Sequence, residues 1–197
     1  EYEAIHAAGL MLQIDCPDLA MGRHTQFREL SASDFLKRAA LQVEVLNAAL
    51  VNIPANRVRM HVCWGNYEGP HHLDIPLEQL FDTLMAAKPN GLLIESSNPR
   101  HAHEWELFRS RSLPDEKVLI PGVIDSVTNY IEHPELVAQR IIRFADLVGR
   151  ERVIAGTDCG FATFAGIGKV DPAIAVEKLK SLVAGSAIAS RKLWRSA

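Results

Sequence analysis

Short apolar segments alternate with longer amphipathic segments along this chain, and no other feature of the sequence restricts its fold as strongly. The segments predicted to be strands are residues 10–15, 57–63, 91–95, 118–124 and 152–157. A whole predicted helix precedes each strand except the first. Apolar strands that are separated by helices are typical of a parallel sheet covered on both faces, so the sequence predicts an α/β fold.

The helical segments are bounded by recognisable start and stop signals. The predicted helices are residues 2–9, 33–50, 75–87, 102–111, 134–148 and a last one from about 173 onward. Ser33 or Asp34 is predicted to lie near the N-cap of the second helix, and Gly149 is the predicted C-cap of the fifth. Gly185 predicts a break that divides the last helix into two pieces.

Composition excludes several classes of protein. The 197 residues are 48% hydrophobic and carry a net charge of −3, without a basic run, which argues against a nucleic-acid partner. Apolar stretches are short and interrupted by charge, so no membrane span is predicted. Three widely spaced cysteines do not form a disulfide framework and indicate a reducing compartment, the cytoplasm. No internal boundary is visible, and residues 1–197 are predicted to form a single domain.

Polar residues stand at the C-terminal end of every predicted strand. They are Asp15, His61 with Cys63, Glu95, Asp125, and Asp158 with Cys159. An open sheet gathers its functional residues around one switch point, whereas a barrel gathers them from nearly every strand end. The distribution therefore favours a TIM (β/α)₈ barrel, of which this chain is expected to be the last five β/α units.

His61 and Cys63 are two residues apart on one predicted strand. Their side chains therefore point to the same face. Imidazole and thiolate together suit a tetrahedral zinc site, and Cys159 is the obvious third ligand. The alternatives are that His61 is a hydrogen-bonding group and that Cys63 and Cys159 are small packing residues.

Carboxylates at the ends of apolar strands are costly unless they are paired, hydrogen-bonded or bound to a metal. Glu95 follows such a strand and is a candidate ligand, with a helix N-cap or a salt bridge to Arg100 as alternatives. Asp15 has the same two interpretations. Asp158 either orients the substrate or caps a turn, and Cys16 is expected to be structural. The remaining histidines are interpreted as loop, capping or uninformative residues: His6, His24, His71, His72, His101, His103 and His133.

Five short motifs resemble, in order, the catalytic domain of cobalamin-independent methionine synthase. They are Gln13-Ile14-Asp15-Cys16-Pro17, His61-x-Cys63, Ile94-Glu95-Ser96, Pro121-Gly122-Val123-Ile124-Asp125 and Asp158-Cys159-Gly160. The resemblance covers essentially the whole chain and corresponds to the C-terminal part of that family's barrel. It implies a TIM barrel whose earlier strands are not in this sequence.

The resemblance also implies a function and a set of site residues. The implied zinc ligands are His61, Cys63, Glu95 and Cys159. Asp15 and Asp158 are the expected substrate-binding residues, and Glu95 and Asp125 the expected catalytic ones, with Glu95 the ligand displaced by the substrate sulfur. The implied reaction transfers a methyl group from a folate-like donor, 5-methyltetrahydrofolate, to a small-molecule thiol, homocysteine, giving methionine.

Two departures from the family pattern point to a divergent branch. Val127 stands where the synthases have a histidine that is thought to supply a proton, and the loop at residues 64–69 is longer. That branch includes a zinc-dependent transferase that opens epoxides with coenzyme M. Epoxide opening, demethylation of a small methoxy or methylthio compound, and a barrel with purely structural zinc therefore stay open as alternatives. A metal-free barrel of the decarboxylase type is disfavoured.

Overall fold

The computed structural model describes residues 1–162, 166 and 168–194 of the chain. The chain divides into two compact units. Unit 1 comprises Glu1–Gly65, His71–Leu93 and Leu113–Val118. Unit 2 comprises Asn66–Pro70, Ile94–Ser112 and Leu119–Ala197.

Parallel strands form the centre of unit 1. Strand β1 (Leu12–Cys16) pairs in parallel with β2 (Val58–Val62), and the register sets Asp15 opposite His61. The first three residues of β3 (Gly91–Ile94) belong to the same unit, in the strand order β1-β2-β3. Side chains of β1 alternate between buried and exposed, whereas β2 is mostly buried. The predicted parallel arrangement is confirmed for this strand pair.

The helices of unit 1 are α1 (Tyr2–Ala7), α2 (Ala32–Ala49) and α3 (Leu77–Met85). Ser31 is the N-cap of α2, because its hydroxyl accepts the Asp34 backbone N–H at 3.0 Å. Ser33 and Asp34 follow in the first turn of the helix, so the prediction that they lie near its N-cap is confirmed. The apolar face of the helix packs on the core, where Phe35 and Ala39 are fully buried.

The regular elements of unit 2 are most of β4 (Val118–Ile124), α4 (Pro134–Val148), β5 (Gly156–Thr157) and α5 (Pro172–Leu193). Strands β4 and β5 pair in parallel, with Gly122 opposite Gly156. β5 is shorter than predicted, because residues before Gly156 contribute only an isolated bridge from Val153 to Leu119. Residues Glu104–Arg109 form a 3-10 helix in place of the predicted α-helix at 102–111.

Helices α4 and α5 pack against each other at a glycine. α5 runs unbroken through Gly185, so the predicted division into two pieces is wrong. A Cβ atom at Gly185 would stand 2.5 Å from Cβ of Val137 on α4 and 2.8 Å from the Pro134 carbonyl oxygen. The glycine permits a close approach between two helices and does not interrupt one. Gly149, as predicted, ends α4, with a positive φ of 95°.

Two helices of the chain are long enough to be compared with membrane-spanning helices. α2 has 18 residues and α5 has 22. Over the ranges described above, no helix combines sufficient length with an apolar composition that could cross a bilayer.

Candidate functional site

The end of β2 in unit 1 carries His61 and Cys63 side by side. Both side chains are buried, and a ring nitrogen of His61 lies within 4.8 Å of the Cys63 sulfur. Within the described residues, Nε2 of His61 is buried and has no hydrogen-bond partner. A buried polar atom without a partner costs free energy, so this nitrogen is suited to a ligand that would occupy it. An imidazole and a thiol on one strand face are appropriate donors for zinc.

Asp15 and Cys16 occupy opposite faces of β1, also in unit 1. Asp15 is exposed, and Cys16 is buried, as the alternating pattern of a strand requires. Burial raises the pKa of the Cys16 thiol to about 12, with Asp18 and Asp15 adding to the effect. Cys16 is therefore an inert packing residue, consistent with the structural role expected for it.

Glu95 is the first residue after β3 and belongs to unit 2. Its side chain is buried, and Oε2 accepts a hydrogen bond of 2.9 Å from Nδ2 of Asn98. Asn98 Nδ2 also donates to Oδ2 of Asp158 at 3.1 Å. The amide thereby links two buried carboxylates, one from the loop after β3 and one from the end of β5.

Asp158 organises the loop that follows β3. Its Oδ1 accepts the backbone N–H groups of Ser96 at 2.8 Å and Ser97 at 2.9 Å, and Oδ2 accepts that of Asn98 at 2.9 Å. Burial raises the pKa of Asp158 to about 6, although the three backbone donors act in the opposite direction. The carboxylate thus caps a loop about 60 positions earlier in the chain, and its expected contact with substrate stays a prediction.

Gly122 explains how Asp158 reaches that loop. A Cβ atom on Gly122 would lie 2.1 Å from Oδ1 of Asp158 and 2.6 Å from its Cα. The Ser96 and Ser97 hydroxyls both donate to the Gly122 carbonyl oxygen, at 2.6 and 2.9 Å. The absence of a side chain at position 122 therefore lets the end of β5 and the loop after β3 meet on β4.

Asp125, at the end of β4, is held in a tight polar turn. Its Oδ1 accepts the Val127 backbone N–H at 3.1 Å, and Oδ2 accepts the Thr128 hydroxyl. Its own backbone N–H donates to Oε1 of Glu132 at 2.8 Å, and Glu132 forms a buried ion pair with Lys178. These bonds fix the carboxylate of Asp125 and the backbone of Val127.

Cys159 follows β5 directly and is partly exposed. Its carbonyl oxygen accepts the Thr157 hydroxyl at 2.8 Å. Asn66 then connects the two loops on this side of unit 2, because Nδ2 donates to the Gly160 carbonyl at 2.6 Å and Oδ1 accepts the Ser126 hydroxyl at 3.0 Å. Asn66 lies in the loop at residues 64–69, so this loop supports the segments that carry Cys159 and Asp125.

An open cavity of about 560 Å³ lies beside Val127 in unit 2. Its lining residues are Glu68, Val127, Thr128, Asn129, Tyr130 and Lys169. Lys169 lies 3.4 Å from Glu68, so the cavity has both charges at its edge. It offers space for a small polar molecule next to Val127.

A polar cluster in unit 1 was not identified from the sequence. Asp74 lies between His24 and His71, at 2.8 Å and 2.9 Å from their Nδ1 atoms. The His71-x-x-Asp74 spacing could have indicated the second contact, but His24 is too distant in sequence to be connected with it. The earlier interpretation of His71 as a loop residue, and of His24 as uninformative, is therefore incomplete.

Comparison with known proteins agrees with the family resemblance of the five sequence motifs. Residues 1–181 match the model of the family described as "Cobalamin-independent synthase, Catalytic domain". The chain is 27% identical to 2-hydroxypropyl-CoM lyase of Xanthobacter autotrophicus over 179 residues, which cover 78% of this chain and 46% of that protein. It is 27% identical to methionine synthase of Thermococcus kodakarensis over 156 residues, 79% of this chain and 40% of that protein. The chain thus spans less than half the length of these relatives.

A solved structure has a similar fold. It is a B12-independent methionine synthase from Shewanella sp. W3-18-1 in complex with selenomethionine, with a TM-score of 0.69 at 20% identity. The similarity covers 98% of this chain and 52% of that one. At this level of identity the comparison establishes the fold.

Proposed function

Because the chain belongs to the family of the cobalamin-independent synthase catalytic domain, we propose that it contributes to a zinc-dependent enzyme that alkylates a thiol. The preferred reaction is transfer of a methyl group from 5-methyltetrahydrofolate to homocysteine, giving methionine. The observation that carries the proposal is the buried, unpartnered Nε2 of His61 beside the Cys63 thiol. Methionine synthase of T. kodakarensis, a relative over most of this chain, supports the choice of substrates.

The proposed zinc ligands are His61, Cys63, Cys159 and Glu95. Their donor atoms are an imidazole nitrogen, two thiol sulfurs and a carboxylate, which are the atoms that zinc prefers. The donor set fits the metal. When bound, zinc would keep a substrate thiol in the nucleophilic thiolate form, because a free thiol with a pKa of about 8.5 is mostly protonated at neutral pH.

The protein contributes orientation of the site residues. Asn98 holds the Glu95 carboxylate, and Asp158 holds the backbone of the loop from Ser96 to Asn98. Side chains that are fixed by such hydrogen bonds keep the same orientation when a metal or a substrate binds beside them. In the proposal, Asp158 and the exposed Asp15 bind the amino-acid part of the thiol substrate, and Asp125 and Glu95 are the catalytic carboxylates.

The proposal extends to the whole domain. Five β/α units with polar strand ends are expected to complete a (β/α)₈ barrel together with units outside this sequence, and residues 1–197 are the C-terminal part of one catalytic domain. Three widely spaced cysteines do not make a disulfide framework, so the proposal places the protein in a reducing compartment, the cytoplasm. The substrates are small molecules, a thiol and a folate-like methyl donor.

Metal analysis of the purified full-length protein tests the ligand set. The wild type is expected to contain one zinc per chain, and both Cys63→Ser and Cys159→Ser to lose most of it. Cys16→Ser is the matched control, because Cys16 is a buried packing residue. Stoichiometric zinc in both ligand variants would show that the assigned ligands are wrong.

A second candidate reaction is thiol alkylation by a different electrophile, by epoxide opening or demethylation. Two points favour it: the relative from X. autotrophicus is a 2-hydroxypropyl-CoM lyase, and an open cavity lies beside Val127, where the resemblance implies a histidine in the synthases. The full-length protein should be supplied with homocysteine and 5-methyltetrahydrofolate, and in parallel with an epoxide and 2-mercaptoethanesulfonate. Methionine alone supports the first reaction, and a thioether from the epoxide alone supports the second.

A purely structural zinc is tested by X-ray absorption. A catalytic site is expected to exchange an oxygen ligand for sulfur when the thiol substrate is added. An unchanged coordination sphere in the presence of saturating homocysteine and of 2-mercaptoethanesulfonate would favour the structural role.

A further inference from the structure

A buried aspartate joins two histidines in unit 1. Oδ2 of Asp74 is hydrogen-bonded to Nδ1 of His71 at 2.9 Å, and Oδ1 is in contact with Nδ1 of His24 at 2.8 Å. The side chains of His24, Asp74 and His71 are only 7, 2 and 10% exposed. Burial of three polar side chains is costly, and the short contacts of the Asp74 carboxylate with both imidazoles offset part of that cost. None of the three belongs to the proposed ligand or substrate set.

The segment that contains His24 holds one side of the residue after β2. The backbone N–H of Met21 donates to the carbonyl oxygen of Cys63 at 2.9 Å. The backbone N–H of His24 donates to the Met21 carbonyl oxygen at 3.2 Å. A shift of His24 would therefore move Met21 and, through Met21, the backbone of Cys63.

The segment that contains Asp74 holds the other side. Trp64, which follows Cys63, is fully buried, and its indole N–H donates to the Ile75 carbonyl oxygen at 2.7 Å. Ile75 is itself buried and follows Asp74 directly. The peptide after β2 is consequently held between two segments, and the Asp74–His24 contact connects those segments to each other.

His71 adds a conformational constraint. Its backbone φ is +50°, the left-handed region that a residue with a Cβ adopts at a cost of about 1 kcal/mol. The Asp74 backbone N–H donates to the His71 carbonyl oxygen at 3.2 Å, and the Asp74 carboxylate binds its side chain. Such an outlier persists only where the surrounding contacts hold it, and it motivates a functional explanation.

We infer that His24, Asp74 and His71 are positioning residues that fix Cys63, the proposed thiolate ligand. The inference rests on the proposed function only in giving Cys63 that role. The contacts run in a closed ring from Cys63 through Met21 to His24, across to Asp74, and back through Ile75 and Trp64. Loss of the Asp74 carboxylate removes the contact between Asp74 and His24. The two segments that hold Cys63 are then no longer connected to each other, and the end of β2 can shift.

The test measures the exposure of Cys63 and its metal affinity in the full-length protein. In metal-free Asp74→Asn, alkylation of Cys63 by iodoacetamide, located by peptide mass spectrometry, is expected to be about tenfold faster than in the wild type. One hydrogen bond to a charged group has about that effect on a local opening equilibrium. Zinc affinity, measured by competition with a chelator, should fall about 10- to 100-fold. The Co²⁺-substituted protein should show a shifted sulfur-to-metal charge-transfer band.

A matched control separates positioning from loss of stability. The Asn47 side chain connects α2 to the segment after α3, donating to the Ala86 carbonyl at 2.9 Å and accepting the Lys88 N–H at 2.6 Å, away from the end of β2. Asn47→Ala should destabilise the same unit but leave the Cys63 alkylation rate and the Co²⁺ spectrum unchanged. His24→Gln, a milder change, should show the same effects as Asp74→Asn with smaller amplitude.

The possible outcomes are distinct. Equal alkylation rates in Asp74→Asn and the wild type, or an equal acceleration in Asn47→Ala, would overturn the inference. Faster alkylation in Asp74→Asn and His24→Gln together with a wild type that binds no zinc would support the positioning role and refute the proposed function.

Discussion

Replacing Gly122 by alanine is the sharpest test of how the site in unit 2 is held together. The new Cβ would lie 2.1 Å from Oδ1 of Asp158, 2.6 Å from its Cα and 2.7 Å from its backbone nitrogen, whereas ordinary contacts begin near 3.4 Å. Side-chain rotation cannot relieve contacts with Cα and nitrogen, so the end of β5 must move by roughly 1 Å. Overpacking of this kind costs about 1–3 kcal/mol.

The shift also breaks hydrogen bonds to a charged group. Oδ1 of Asp158 would lose its bonds to the Ser96 and Ser97 backbone N–H groups, each of which contributes about 1.5–3 kcal/mol. With partial relaxation, we expect Gly122→Ala to lower the free energy of unfolding by about 3–6 kcal/mol, measured by urea denaturation. Bound zinc should fall in parallel, because Cys159 follows Asp158 directly.

Gly156 provides the matched control. It pairs with Gly122 in the β4–β5 register, but a Cβ there would meet only Cγ2 of Ile120 at 3.2 Å and the Pro121 carbonyl oxygen at 3.6 Å. Gly156→Ala should therefore cost less than about 1 kcal/mol and leave the zinc content unchanged. If the two variants had unfolding free energies within about 0.5 kcal/mol of each other, the close approach at Gly122 could not be what positions Asp158.

Three further predictions concern packing and titration. Gly185→Ala should destabilise the protein by about 1–3 kcal/mol in urea despite the better helix propensity of alanine. Val137→Gly, which removes the Cβ and Cγ1 atoms that the new Cβ would meet, should reduce that loss when the two changes are combined, and additive effects in the double variant would contradict the contact. Cys16, with its pKa raised to about 12 by burial, should resist iodoacetamide at pH 8 in the folded protein, and alkylation as fast as in urea would refute its burial. Burial lowers the pKa of His24 below the unfolded value of 6.5, although Asp74 opposes this, so stability is fully present above pH 6.5 and falls as the pH decreases below it. His24→Gln should weaken this pH dependence of the urea midpoint. If the difference in stability between the wild type and His24→Gln instead grew as the pH fell from 7.5 to 5.5, the pKa of His24 would be raised in the folded state and not lowered.

Local patterns in the sequence were sufficient for much of the fold. The strand at 118–124 and the helix at 134–148 were predicted with correct bounds, because continuous apolar character and Gly149 mark them independently of any partner. The pairing of His61 with Cys63 on one face follows from the two-residue period of a strand, which is a property of the backbone. The residue types at each strand end, and therefore the atoms they offer to a metal, are likewise read directly from the sequence.

Contacts between distant residues were decided by the tertiary structure. Gly185 has the sequence signature of a helix break, and only the position of Val137 shows that it permits a close helix approach. The donors to Asp158 lie about 60 residues earlier, and Gly122 provides the space in which they meet. His24 and Asp74 are 50 positions apart, and nothing local connects them. Periodicity and capping act over a few residues of one element, whereas close approach and buried pairing depend on which elements the fold brings into van der Waals contact, and that is a property of the packed chain.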